Sequence, residues 1–223
     1  MTPKLYMNEV SPAVRAVLMT AKALNITLDL KEVNFQEGEH LSPKYLKLNP
    51  QHTIPTLDDK GLIIWDSHAI IAYLVGKYGE HDSFYPKDIE KRAVVDQRLH
   101  FDSGLISHIL KEIMNPIIYG ASMDTSHDFY EKTIRIYDLV ETFLVDSWIA
   151  GNYLSIADFS LIASISTLNI IIPIDPLKYT RIVRWLHRSE KETFYDANRK
   201  GLDKIRNCIQ YDYVQVQDRI CKV

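Results

Sequence analysis

Along the first third of the chain, apolar positions switch repeatedly between a period of two and a period near that of a helix. Lys4 to Tyr6 reads as a strand and Pro12 to Leu24 as a helix. Leu28 to Val33 reads as a strand in which Leu28, Leu30 and Glu32 alternate with Asp29, Lys31 and Val33, and Pro43 to Leu48 as a short helix. Two further strands, Pro55 to Asp58 and Leu62 to Trp65, flank the turn Asp58-Asp59-Lys60-Gly61 and lead into a helix from Ser67 to Tyr78. The order β-α-β-α-β-β-α predicts a helix-covered sheet within about 80 residues, its last two strands an antiparallel hairpin. Periodicity is lost from Gly79 to Pro86, as in an interdomain linker. Beyond it the pattern is helical: Lys87 to Tyr119, Asp128 to Val145, Ile156 to Ile170, Tyr179 to Glu190 and Thr193 to Tyr211. Pro116 predicts a bend or a local end in the first of these, and Ser155-Ile156-Ala157-Asp158 a capping box with Asp in place of Glu. The expectation is an α/β domain over residues 1–79 and an all-α domain over residues 87–223.

Composition narrows the function classes. The 223 residues suffice for two domains, and 46% apolar with 25% charged residues is ordinary globular usage. With 26 basic against 29 acidic residues the net charge is −3, so there is no basic field to gather nucleic acid. The apolar run Leu161 to Ile174 is broken by Ser164, Ser166, Asn169 and Pro173 and falls short of the ~20 residues of a membrane span. The chain start has no apolar stretch of the signal-peptide kind, which makes the expected compartment cytoplasmic. The two cysteines, Cys208 and Cys221, offer neither a disulfide framework nor zinc-ligand spacing, and no metal site is expected.

Three clusters carry candidate chemistry. Ser11-Pro12 opens the first helix; Ser at the cap and Pro at the first turn start a helix with no further purpose, yet the same end gathers positive partial charge that favours an anion. A hydroxyl there can donate to a thiolate and lower the thiol pKa. Asn49-Pro50-Gln51-His52-Thr53-Ile54-Pro55-Thr56-Leu57 is a polar loop entering a strand, with Ile54-Pro55 a candidate cis peptide. Asp66-Ser67-His68-Ala69-Ile70 starts another helix, with Asp66 as cap. Each also has a purely structural explanation.

Together with Ser11-Pro12-Ala13-Val14-Arg15 and Gly38-Glu39-His40-Leu41, and in this order and spacing, these words resemble the thioredoxin-like half of cytosolic glutathione transferases, in particular the insect delta and epsilon classes. Leu154-Ser155-Ile156-Ala157-Asp158 matches the capping motif of that family's C-terminal domain, so the resemblance spans nearly the whole chain. It implies a thioredoxin-like α/β N-terminal domain plus an all-α C-terminal domain, glutathione as co-substrate and a homodimer. It makes Ser11 the residue that stabilises the glutathione thiolate. His40, His52 and the backbone of Ile54 would hold the cysteinyl and glycyl portions and Asp66 and Ser67 the γ-glutamyl amine and carboxylate, with Pro55 and His68 also in the glutathione-binding set. Met7 departs from the pattern, since many relatives carry a second aromatic there.

The second substrate belongs to the helical half. Ser107, Leu110, Lys111, Met114 and Ile118 share one helix side at spacings of three and four and are candidates to line an apolar pocket. Glu112 stands where many epsilon relatives carry an aromatic; it is either a solvent-facing charge beside Lys111 or a single polar anchor in an apolar cavity. Tyr195 to Arg206, and Ser166 to Asn169 upstream of Pro173, look like the noppera-bo subgroup of the epsilon class, which is tied to ecdysteroid biosynthesis and implies an acidic side chain for a sterol hydroxyl. The expected function is conjugation of glutathione thiolate to hydrophobic electrophiles with a sterol-like ligand; the alternative is a non-catalytic carrier of such ligands.

Overall fold

The computed structural model describes residues 2–119 and 127–220, with the side chains of residues 113, 116–119 and 210–220 outside the description. Four short strands form one sheet in the order β2-β1-β3-β4. The inner strand β1 (Lys4–Met7) buries Leu5 and Met7 on one face; β2 (Asp29–Glu32) runs parallel to it with Lys4 opposite Asp29. On the other side β3 (Thr56–Asp59) is antiparallel to β1 and pairs with β4 (Leu62–Trp65). The hairpin between them is tighter than the sequence suggested. Asp59 belongs to the strand, and Lys60 (φ 57°) and Gly61 (φ 90°) alone make the turn, both in the left-handed region that a two-residue primed turn requires. β2 is shorter than its alternation predicted, because as an edge strand it pairs with only the four residues of β1; Leu30 is exposed and Val33 is buried beyond the strand.

Helices α1 (Pro12–Ala23), α2 (Pro43–Leu48) and α3 (Ser67–Tyr78) complete the thioredoxin-like half, with an unpredicted 3-10 turn at Glu39–Leu41. From Ile89 onward every regular element among the described residues, one isolated bridge between Trp148 and Gly151 aside, is helical. The predicted long helix from Lys87 is two, α4 (Ile89–Phe101) and α5 (Ser107–Tyr119), joined by a π-helical turn at Asp102–Ile106. The break thus falls ahead of Pro116, and α5 continues past that proline to Tyr119. Then come α6 (His127–Phe143), α7 (Ile156–Ile171), α8 (Thr180–Ser189) and α9 (Asp196–Ile220).

Helix α7 buries every residue from Ile156 to Leu168, the polar ones included, the mark of a central helix rather than a surface one. No helix among the described residues is long and apolar enough to cross a membrane. The start of α7 is held by Asp158, whose carboxylate accepts from the N–H groups of Ile149 (2.8 Å) and Ser155 (2.9 Å), the Ser155 hydroxyl (3.0 Å) and Trp185 Nε1 (3.0 Å). Burial pushes this carboxyl up to about 6 despite those four donors.

Helix α1 packs on α7, α3 and α9, and one continuous apolar cluster runs from Leu5 through α1 and α7 to Phe194. Within it Arg15 is fully buried. Its guanidinium donates to Asn198 Oδ1 (2.6 Å), to Thr167 Oγ1 and to the Ala163 carbonyl (3.4 Å), tying α1 to α7 and α9. Gly201 completes the joint: a Cβ there would collide with the Glu9 carbonyl and the Arg15 side chain, so only glycine lets α9 approach so closely.

Candidate active site

The helix end at Ser11 behaves as its sequence suggests. Ser11 takes extended dihedrals (φ −69°, ψ 123°), and its Oγ accepts from Val14 N–H at 3.4 Å, with Pro12 in the first turn. Because the oxygen accepts from the helix, the hydroxyl proton is left to donate outward, along an axis whose N-terminal end carries about half a positive charge.

The second helix end is more constrained. Asp66 sits at φ 74°, a conformation that costs a non-glycine residue of order 1–3 kcal/mol. Its Oδ1 accepts from the N–H groups of His68 (2.9 Å) and Ala69 (3.3 Å). These capping bonds engage Oδ1 and fix the side chain of a residue that lines the cavity. Between the two ends runs the polar loop. Asn49, fully buried, donates through Nδ2 to the Thr53 carbonyl (3.0 Å) and to Thr56 Oγ1 (2.9 Å), and Tyr45 donates its hydroxyl to the same carbonyl (2.8 Å). The Ile54-Pro55 bond that follows is cis, as its placement predicted.

These pieces face one cavity of about 380 Å³ between the sheet end and the helical half. On the sheet side it is lined by Ser11, His40, His52, Ile54, Asp66, Ser67 and His68, all singled out from the sequence, together with Ala13 and Thr53 of the same motifs and Phe35, which no motif marked. His40 is 4% exposed and stacks on Phe35 with ring centroids 4.2 Å apart. Burial, and after it the nearby His52, hold its pKa below the ordinary value, which favours the neutral imidazole. Pro55 is buried and does not line the cavity.

On the helical side Ser107, Leu110, Lys111 and Met114 line the cavity as expected, with Asn115 beside them. Glu112 does not. One residue on from Lys111 turns it about 100° around α5, and its side chain is 45% exposed, 3.7 Å from Lys132 of α6. The solvent-facing alternative is the one observed. Ile118 falls outside the described side chains.

A polar cluster missed in the sequence closes the floor. Asp102, 3% exposed in the π turn, accepts from Ser164 Oγ at 2.9 Å and from Ser160 Oγ, while His68 Nε2 lies 2.8 Å from Ser160 Oγ and 3.3 Å from the carboxylate. A proton on Nε2 satisfies all three groups at once: His68 donates to Ser160, which donates to Asp102. His68 therefore ties α3 to the π turn and to α7 through its ring. Two small polar residues four apart on a wholly buried helix, Ser160 and Ser164, were the available signal. No group of residues suited to hold a metal ion occurs among those described.

A family model described as the glutathione S-transferase N-terminal domain matches residues 10–76. Glutathione S-transferase 1 of Manduca sexta is 43% identical over 212 residues, covering 94% of this chain and 98% of that protein. The chain belongs to the insect glutathione S-transferases. Among solved structures, this transferase is similar to an epsilon-class enzyme from the housefly, Musca domestica, at 42% identity and a TM-score of 0.90 over 94% of this chain and 98% of that one. It is equally similar to a Drosophila mojavensis homologue with bound glutathione, at 42% identity and TM-score 0.90 over 94% and 97% of the two chains. The acid, hydroxyls and exposed backbone gathered on the sheet side suit a tripeptide with one ammonium, two carboxylates and a thiol.

Proposed function

We propose that this transferase joins the glutathione thiolate to hydrophobic electrophiles, with Ser11 as the thiolate-stabilising residue. The observation that carries the reading is the capped helix end at Ser11, whose hydroxyl accepts from the helix and keeps its proton for a partner in the cavity. In this reading the thiol proton passes to solvent. The thiolate, stabilised by the Ser11 hydroxyl and the positive end of α1, forms the C–S bond, and a leaving group departs with its bonding pair. Asp66 Oδ2 takes the ammonium, Ser67 the γ-glutamyl carboxylate, and the backbone of Ile54 the cysteinyl peptide. Replacing Ser11 by Ala should raise the pKa of the bound thiol toward about 8.5, followed by thiolate absorbance against pH. It should also lower kcat/KM for a chloronitrobenzene by roughly 10²–10³, the loss expected for one aligned donor to a developing anion. An unchanged thiol pKa would overturn the assignment.

For the second ligand we infer a steroid or steroid precursor and a place in ecdysteroid production, within a cytoplasmic homodimer. The noppera-bo-like segments and the apolar wall of Leu110 and Met114 support this. Since Glu112 lies outside the cavity, the ligand hydroxyl would be taken by Ser107, Asn115 or Lys111. Binding of such ligands with no turnover of any model electrophile would favour a carrier instead.

A further inference from the structure

Helix α8 has the most sharply two-sided surface of the chain. One side buries Ile182, Trp185 and Leu186; the other carries Arg181, Arg184 and Arg188. Spacings of three and four put the three guanidiniums on a single face, where like charges repel. They line a concavity of about 360 Å³ together with Leu144, Val145, Asp146 and Ser147. None of the three pairs with a carboxylate among the described residues: Arg181 and Arg184 donate to the carbonyls of Glu141 (3.3 Å) and Thr180 (3.2 Å), and Arg188 to that of Ser147. Each of those bonds uses one nitrogen and leaves donors of the same guanidinium over.

No guanidinium of this face bonds to the carboxylate of Glu141 or of Asp146. Glu141 spends both carboxylate oxygens on the N–H groups of Arg181 and Ile182, at 3.0 Å each, which caps α8. Among the described residues Asp146 is the one carboxylate lining the concavity, set against three guanidiniums. The helix bearing them is fixed from below by Trp185 Nε1 on Asp158 (3.0 Å), and Arg188 is braced over the Trp148 ring at 5.6 Å. Planar forks on a rigid helix in a concave site suit tetrahedral oxyanions, which accept two parallel N–H bonds from each fork. Three forks in a row suit a ligand with more than one such group, and an anion between them relieves their mutual repulsion.

We propose that the concavity formed by Arg181, Arg184 and Arg188 is a binding site for a small di- or polyphosphate anion, separate from the glutathione cavity. The proposal does not depend on the reading of Ser11, and no residue is shared between the two cavities. Inorganic pyrophosphate titrated calorimetrically into the glutathione-saturated full chain should bind. The Arg181→Ala/Arg184→Ala pair should lose about tenfold or more in affinity, the size of one charge-assisted hydrogen bond, with conjugation rate and melting temperature kept. Should the double variant not fold, Arg184→Gln alone, at an exposed position, should still show a measurable loss. No binding by the parent, equal affinity in the variants, displacement of pyrophosphate by glutathione, or capture of a phosphorylated peptide where pyrophosphate fails would each overturn it.

Discussion

Asp59 is 2% exposed, and one of its oxygens takes three donors: Lys77 Nζ at 2.7 Å, Tyr78 hydroxyl at 2.6 Å and Tyr73 hydroxyl at 2.8 Å. Burial alone would raise this carboxyl, but the hydrogen bonds from Lys77, Tyr78 and Tyr73 outweigh it and hold the pKa at about 2. A depressed carboxylate pKa stabilises the fold above the unfolded value of about 3.9, and that stability is lost as pH falls toward 2. The shift corresponds to roughly 2 kcal/mol at neutral pH. Asp59→Asn should therefore unfold more easily than the parent at pH 7, and the gap should narrow between about pH 4 and pH 2 in denaturant titrations followed by circular dichroism. A gap that stays constant with pH would refute the titration account. Nothing in the sequence marked Asp59, which read as a turn residue because Asp and Gly favour turns. Ser11 and Asp66 were legible because helix caps are written in one or two adjacent residues, whereas the Asp102 cluster joins positions scattered over two helices and the π turn.

At the scale of elements, legibility followed punctuation. α2 and α3 have the predicted bounds because Pro43 and Asp66 mark their starts and Asn49 and Gly79 their ends. The π turn at Asp102–Ile106 has no such marks, and one inserted residue inside an apolar-periodic stretch looks like continuous helix. Its effect is on phase: each residue gained or lost turns all of α5 by about 100°. Loss of Gly104 would bring Lys111 to the place of Leu110 and Glu112 to the place of Lys111, replacing an apolar wall with a charged one. In the native phase, Glu112→Ala should leave affinity for an estradiol-class steroid unchanged, while Leu110→Ala should weaken it, by about 1–3 kcal/mol for lost apolar burial. Fluorescence displacement titrations would measure both, and a large loss on Glu112→Ala would require the carboxylate to enter the cavity.

In the molecule as a whole, α1 begins at the proposed thiolate site and, one turn later, sends Arg15 into a fully buried pocket among α7 and α9. Burial lowers this guanidinium's pKa to about 9, which still leaves it charged at pH 7. Its partners are neutral, so opening the joint strands both a cation and the groups that solvate it. The two-part organisation is visible in the sequence as a change of period. The joint is not, because Arg15, Thr167, Asn198 and Gly201 belong to no local pattern. Since Arg15 binds α1 to the helical half four residues after Ser11, loss of activity and loss of helical signal should coincide in a urea titration, and activity lost well ahead of helicity would contradict the coupling. A partly denatured preparation is then a mixture of intact and dead catalysts rather than a population of weakened ones: its apparent KM should hold steady while its Vmax falls.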